Sequence, residues 1–219
     1  MDTVEYRLLS KQTSEQAIDC ICKVFLAGEP LSKHMRVSEQ EFRPFVSDLV
    51  KHSLRSHLSW IAVDSDTGVL VGARIITDLA DDFHPTRNFG AKMSVILNFL
   101  GAVASPLKRN DELSRGKTAH AHMVAVSESY QGLGIAKKLL HLSSEWAYKN
   151  GFTPSVGEVT SAYNQRILKN STGFKPLHSI DYETYEFQGT NPLKGIKGHE
   201  QCILFELDLK SLLHKGVHD

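Results

Sequence analysis

The chain has 219 residues, generous for one domain and short for two, so a single unit with one sizeable core is expected over residues 1–219. Its 25 basic residues balance 25 acidic ones, which argues against the basic face of a nucleic-acid binder, and a hydrophobic share of 41% argues against an acid-rich disordered chain. No apolar run is long enough to span a bilayer, and Met1-Asp2-Thr3-Val4-Glu5 lacks the basic and apolar regions of a signal peptide. Cys20, Cys22 and Cys202 are too few for a disulfide framework and lack metal-site spacing. The expectation is a cytoplasmic protein with reduced thiols and no membrane contact.

In chain order, Val4 to Leu9 reads as a first strand. Thr13 and Gln16 have capping-box spacing ahead of a helix carrying Ile18, Ile21, Cys22 and Phe25 on one face. Ser38 and Glu41 cap a second helix with the stripe Phe42, Phe45, Val46, Leu49 and Val50; Pro44 predicts a kink there or a start near Arg43. Leu58–Val63 and Val69–Thr77 form a hairpin around Asp64-Ser65-Asp66-Thr67-Gly68. Residues 78–117 read as an insertion over the sheet edge, a place for a lid, with Met93, Ile96, Leu97 and Leu100 on one helical face.

Ala119 to Val126 is the candidate central strand. It runs through Gln131-Gly132-Leu133-Gly134 into a long helix with Ile135, Leu139, Leu142 and Trp146 inward, stopping at Asn150-Gly151. A strand over Ser155–Thr160, a short helix over Asn164–Asn170 and two closing strands, roughly 177–187 and 202–209, complete the order. The pattern predicts a mixed α/β (α+β) fold, a sheet flanked by helices.

A strand, a glycine turn and a helix N-terminus in succession form an anion site, because first-turn amides lack intrahelical partners. The turn lacks the Gly-Lys-Ser/Thr of a Walker loop and the third glycine of a dinucleotide fingerprint. Gln131-Gly132-Leu133-Gly134-Ile135-Ala136 has the form Q/R-x-x-G-x-G/A, after Val124-Ala125-Val126 and before an amphipathic helix. This resembles the acetyl-CoA motif of the GCN5-related N-acetyltransferase (GNAT) superfamily. The element order and the placing of Gly173-Phe174 extend the resemblance along the chain. It implies a mostly antiparallel sheet of about seven strands with a splayed central strand. It also implies acetyl-CoA as co-substrate. The pyrophosphate would lie on the backbone amides of Gln131, Gly132, Leu133, Gly134, Ile135, Ala136 and Lys137. Pantetheine would pair with the strand Val124, Ala125 and Val126, with Asn164 nearby.

Two shorter matches narrow the class. Ala119-His120-Ala121-His122 resembles the His-x-His strand of vertebrate arylalkylamine (serotonin) N-acetyltransferases. Glu29-Pro30-Leu31 resembles the first-helix turn of the insect arylalkylamine enzymes, whose glutamate is the proposed base. A primary alkylamine has a pKa of about 10.4, so it arrives as an ammonium ion and must lose a proton before attacking a thioester. His120 and His122, two apart on a strand, share a face, and Glu29 can hold the ammonium or relay its proton. A strand amide near Met123 or Val124 would stabilise the oxyanion. The pair lacks a third metal ligand of diagnostic spacing, so no metal is expected.

One departure is Lys169, four residues before Gly173, where many superfamily members have a tyrosine that protonates the CoA thiolate. Tyr163 is the nearest substitute, and Thr160, Ser161 and Asn164 are candidates to line the site. Direct acetylation of a small arylalkylamine is the expected reaction, by a monomer or weak dimer. Two alternatives stand beside it. One is acetylation of a polyamine or a protein lysine, favoured by Asp78, Asp81 and Asp82; the other is a non-catalytic acyl-CoA sensor, favoured by the missing tyrosine.

Overall fold

The computed structural model describes residues 4–110, 113 and 117–214. Seven strands form one sheet in the order β1-β2-β3-β4-β5-β7-β6. They are β1 (Val4–Leu8), β2 (Trp60–Asp64), β3 (Leu70–Asp78), β4 (Ala119–Val126), β5 (Pro154–Val159), β6 (Phe174–Asp181) and β7 (Gln201–Asp208). Neighbours run antiparallel except β4 and β5, which are parallel and pair only at Ala119↔Ser155 and His120↔Val156. Beyond that pair the two strands part. Gly157 holds them close at the parting point, where a Cβ would sit 2.5 Å from the Ala121 carbonyl oxygen.

Seven α-helices are labelled α1 (Ser14–Gly28), α2 (Pro30–His34), α3 (Glu39–Ser53), α4 (Ala91–Val103), α5 (Ile135–Lys149), α6 (Ala162–Lys169) and α7 (Leu209–His214). One core packs α1, α3 and α4 against Ile61, Ala73, Ile75, Ala125, Val156 and Leu204 on one face of the sheet. A second packs α5 residues Leu140 and Ala147 with Ile76, Ala119, Ile203 and Phe205 on the other. Among the described residues no helix is long and apolar enough to cross a membrane. All three cysteines are free and buried.

Several expectations shift for local reasons. Thr13 makes no side-chain cap to α1; its hydroxyl bonds Ser10, and a 3-10 turn over Lys11–Thr13 intervenes. Ser38 and Glu41 do form a capping box, and it starts α3 early enough that Pro44 lies inside the helix. The amide bond that Pro44 forgoes is one to Gln40, in the first turn, so the helix runs on past it. In α4 the buried face is Met93, Val95, Ile96, Phe99 and Val103, with Leu97 and Leu100 at its margin. In α5 it centres on Leu139, Leu140, Ser143 and Ala147, with Leu142 and Trp146 at the side.

The segment read as a lid is thus partly core, because α4 packs against the sheet and Phe99 meets Tyr182 and Tyr185 in the connection that follows β6. Residues 111, 112 and 114–116 of that segment lie outside the described residues. The first closing strand begins at Phe174, earlier than expected, because Gly173 (φ +84°) turns the chain directly into β6 against Asp208.

Candidate active site

The glycine turn takes the geometry an anion site needs. Gly132 and Gly134 both have φ +79°, and Gly134 is the left-handed N-cap of α5. A Cβ on either would meet nothing within 4 Å, so the dihedral demands glycine and the space before the turn stays open. The first helical bond runs from Lys138 N to Gly134 O, which leaves the amides of Ile135, Ala136 and Lys137 without intrahelical acceptors. Lys137 and Lys138 lie exposed beside them, as does Leu133. The turn is tied down where it leaves β4. Gln131 Nε2 donates to Val126 O at 3.2 Å, and Tyr130 donates to Asp64 in the β2–β3 hairpin at 2.5 Å.

The splay leaves one edge of β4 without a strand partner. Ser127 N donates to Val71 O on β3, so alternation turns the peptide groups of Val124 and Val126 to the open side and those of Ala125 toward Ala73. The Val126 carbonyl already accepts from Gln131, and Val124 has both its groups facing the gap. Beside this edge β4 bulges. Ala121 faces Ile76 and Met123 faces Ile75, so His122 is opposed by no residue of β3. The bulge keeps His120 and His122 on one face, with ring centroids 4.1 Å apart.

Around the two rings the fold assembles a buried acid–histidine cluster. His120 Nδ1 lies 2.8 Å from Asp82 Oδ2, and its Nε2 lies 3.2 Å from Glu158 Oε2. Carboxylates only accept, so a ring between two of them carries both protons and is an imidazolium. Burial pulls that imidazolium down, but the charge of Glu158 and the bonds to Asp82 and Glu158 outweigh it and leave His120 pushed up to about 10. His122 Nε2 lies 2.8 Å from Thr77 Oγ1 and 3.1 Å from Asp82 Oδ1, while Thr77 donates to Asp82 at 2.8 Å. Nε2 therefore carries the proton, and the Nδ1 lone pair stays outside this network. Burial and then the neighbouring His120 charge hold His122 below its ordinary pKa, so it is neutral at neutral pH. Burial would raise the Asp82 carboxyl, but its bonds to both histidines hold it well below the usual carboxylate range.

Asp82 also lines a cavity of about 420 Å³ with His52 and His84. Asp82, His120 and His122 present possible ligand atoms within 4.8 Å of one another. The fold thus supplies the third donor that sequence spacing lacked; in this structure those atoms bond to each other.

Glu29 sits apart from these bonds. It is the N-cap of α2, and its two carboxylate oxygens accept from Leu31 N at 3.1 Å and Ser32 N at 2.7 Å. Leu31, two residues on, is buried in the same core as Val156 and Cys202, on the cluster's face of the sheet. Ser161 caps α6 by accepting from Asn164 N, and Thr160 O accepts from Tyr182. Tyr163 is 64% exposed on the first turn of α6. Lys169 lines, with Arg166, a groove of about 850 Å³ beside the β6–β7 connection. The acidic run is divided: Asp78 caps a 3-10 turn, Asp81 pairs with Arg55, and Asp82 alone of the three bonds the histidines.

This glycine turn beside a half-open strand is matched by comparison with known families. The model of the acetyltransferase (GNAT) family matches residues 29–169, more than half the chain. The chain belongs to this family. It is an acetyltransferase, and the family implies acetyl-CoA as co-substrate and an amine as acceptor. Solved structures agree with the fold. The C-terminal condensation domain of Ebony in complex with beta-alanyl-dopamine aligns with a TM-score of 0.82 at 17% identity, covering 95% of this chain and 100% of that one. Arylalkylamine N-acetyltransferase 2 from Aedes aegypti gives 0.79 at 20% identity, covering 95% and 100%. The Drosophila melanogaster polyamine N acetyltransferase that forms N-acetylagmatine gives 0.73 at 18%, covering 94% and 99%.

Asp82, Glu158 and Thr77 were not singled out as site residues from the sequence. Glu158 did carry a signal, since a carboxylate alternating with Val156 on a strand faces the core side. Asp82 was visible only as one acid in a run.

Proposed function

We propose that this acetyltransferase moves the acetyl group of acetyl-CoA directly to the primary amine of a small arylalkylamine. The observation that carries the reading is the pairing of His122 with Asp82 beside the open edge of β4: an imidazole whose protonated nitrogen is anchored on a carboxylate, with the Nδ1 lone pair outside that pairing. In this assignment His122 Nδ1 takes the ammonium proton, directly or through water. Asp82 orients the ring and stabilises the imidazolium that forms. His120 is the fixed cation that ties Asp82 to Glu158, rather than a second base. Glu29 holds the approaching ammonium by charge from its seat on α2.

The neutral amine attacks the thioester carbonyl, and the oxyanion takes a hydrogen bond from the Val124 amide, which faces the open side. Collapse of the tetrahedral intermediate expels the CoA thiolate. The proton that the attacking nitrogen still carries passes through water to this thiolate, whose pKa is about 8.5, and His122 returns its own proton to solvent, so Lys169 and Tyr163 are not required as acids. Pyrophosphate is held on the amides from Gln131 to Lys137 with Lys137 and Lys138 as local charge, and pantetheine runs beside Val124.

An aryl group is favoured by the partly buried Phe25, Tyr185 and Phe187, which pack against the core on the same face as the cluster. A polyamine would call for several free acids at the mouth, and Asp78 and Asp81 are engaged elsewhere. The test is thiol release from acetyl-CoA with tryptamine, tyramine, dopamine, spermidine, agmatine and a lysine peptide. Turnover on the first three is expected. Turnover confined to spermidine, agmatine or peptide overturns the arylalkylamine assignment, and binding of acetyl-CoA with no turnover overturns catalysis.

A further inference from the structure

Glu158 lies one residue beyond Gly157 on β5, past the last β4–β5 pair, where the two strands begin to part. Its side chain shares the face of Val156 and His120. One oxygen, Oε2, accepts from His120. The other, Oε1, is buried and has no hydrogen-bond partner among the described residues. A buried acceptor left without a donor is costly, about 1–3 kcal/mol and more for a charged group, so a donor belonging to the working complex is its natural complement.

Charge points the same way. Asp82 and Glu158 each contribute one negative charge, His120 one positive and His122 none, which leaves the cluster short of one cation. A substrate that arrives as an ammonium ion supplies both the missing donor and the missing charge.

We propose that Glu158 Oε1 is the docking atom for the reacting ammonium of the substrate, and that it makes the site selective for charged amines over neutral isosteres. This rests on the amine-acetyltransferase reading above. Glu29 attracts the cation from the start of α2, while Glu158 receives it at the narrow end of the splay, within reach of the histidine cluster. Its role is specificity and positioning for the same reaction; the proton goes to His122.

The experiment is calorimetric binding of phenylethylamine, agmatine and the neutral isostere 2-phenylethanol to the CoA-bound protein, in wild type, Glu158→Gln and Glu158→Asp. In Glu158→Gln the amide carbonyl can still accept from His120 while the NH2 group takes the place of Oε1. The expected result is an amine Kd raised about 30-fold, an alcohol Kd and a CoA affinity within about twofold of wild type, and a preference for amine over alcohol largely restored in Glu158→Asp. Unchanged amine affinity in Glu158→Gln overturns the dock, as does equal loss for amine and alcohol. If Glu158→Gln does not fold, equal affinity of wild type for phenylethylamine and 2-phenylethanol, or no binding of any amine, overturns it. Because binding is read without turnover, failure of the dock and failure of the catalytic reading are separate outcomes: amine bound by Glu158 yet never acetylated sinks only the latter.

Discussion

His120 and His122 pack ring against ring, and one carboxylate, Asp82, gives an oxygen to each. The same anion therefore serves opposite charge states. His120 has a second carboxylate in Glu158 and stays protonated, whereas His122 has only Asp82, the hydroxyl of Thr77 and a cation for a neighbour.

That relationship sets the acidic limb of the rate profile. With His122 as base, kcat falls as pH drops through a pKa lying below the ordinary 6.5. His120→Gln removes the neighbouring cation, so the limb moves to higher pH. Asp82→Asn removes the stabilising anion, so the limb moves to lower pH and kcat falls. His122→Gln abolishes the limb and lowers kcat by about 10²–10³, with the acetyl-CoA KM unchanged. Steady-state rates across pH check all three, and a limb unmoved in His120→Gln removes His122 as the base.

Stability carries a signature of its own. The folded pKa of His120, raised from 6.5 to about 10, means that the folded state binds a proton which the unfolded chain has released. Its contribution is complete below the unfolded value and is lost as pH rises through about 10. Thermal unfolding of wild type should therefore shift down by several degrees between neutral pH and pH 10, and His120→Gln should show a shallower fall. At the acid end Asp82 acts in reverse: its depressed pKa gives stability that is lost as pH falls below the usual carboxylate range.

Gly134→Ala tests the anion turn. An alanine at φ +79° costs about 1–2 kcal/mol of backbone strain, and relaxing it moves the amides at the head of α5. The acetyl-CoA KM should rise about tenfold while the amine KM stays within about twofold. Equal rises in both constants would mean that the turn does not act on CoA alone.

Glu29→Gln separates a charge-holding role from a base. It removes one of two acceptors from the α2 cap, about 0.5–2 kcal/mol, which differential scanning should read as a loss of a few degrees. The amine KM should rise several-fold and kcat should stay within about threefold, because the proton goes to His122. A kcat loss beyond about 100-fold with melting unchanged would falsify that division and make Glu29 the base.

The sequence by itself determined the elements whose chemistry is local. Gly132 and Gly134 mark a left-handed turn because no other residue takes that dihedral freely, and Ser38 with Glu41 marks the start of α3 because both cap groups lie within one turn. The alternation of Ile203, Phe205 and Leu207 identified a strand, and His120 with His122 lay next to the open edge of β4. Only the tertiary structure decided what those histidines face. Asp82 and Glu158 each lie 38 residues from His120 in the chain, one before it and one after, and they meet it because β3 and β5 flank β4. No local spacing encodes that meeting. The charge state of a buried imidazole depends on which acceptors the sheet brings within 3 Å or so, and so the division between a fixed imidazolium and a free base became readable only once the strands were paired.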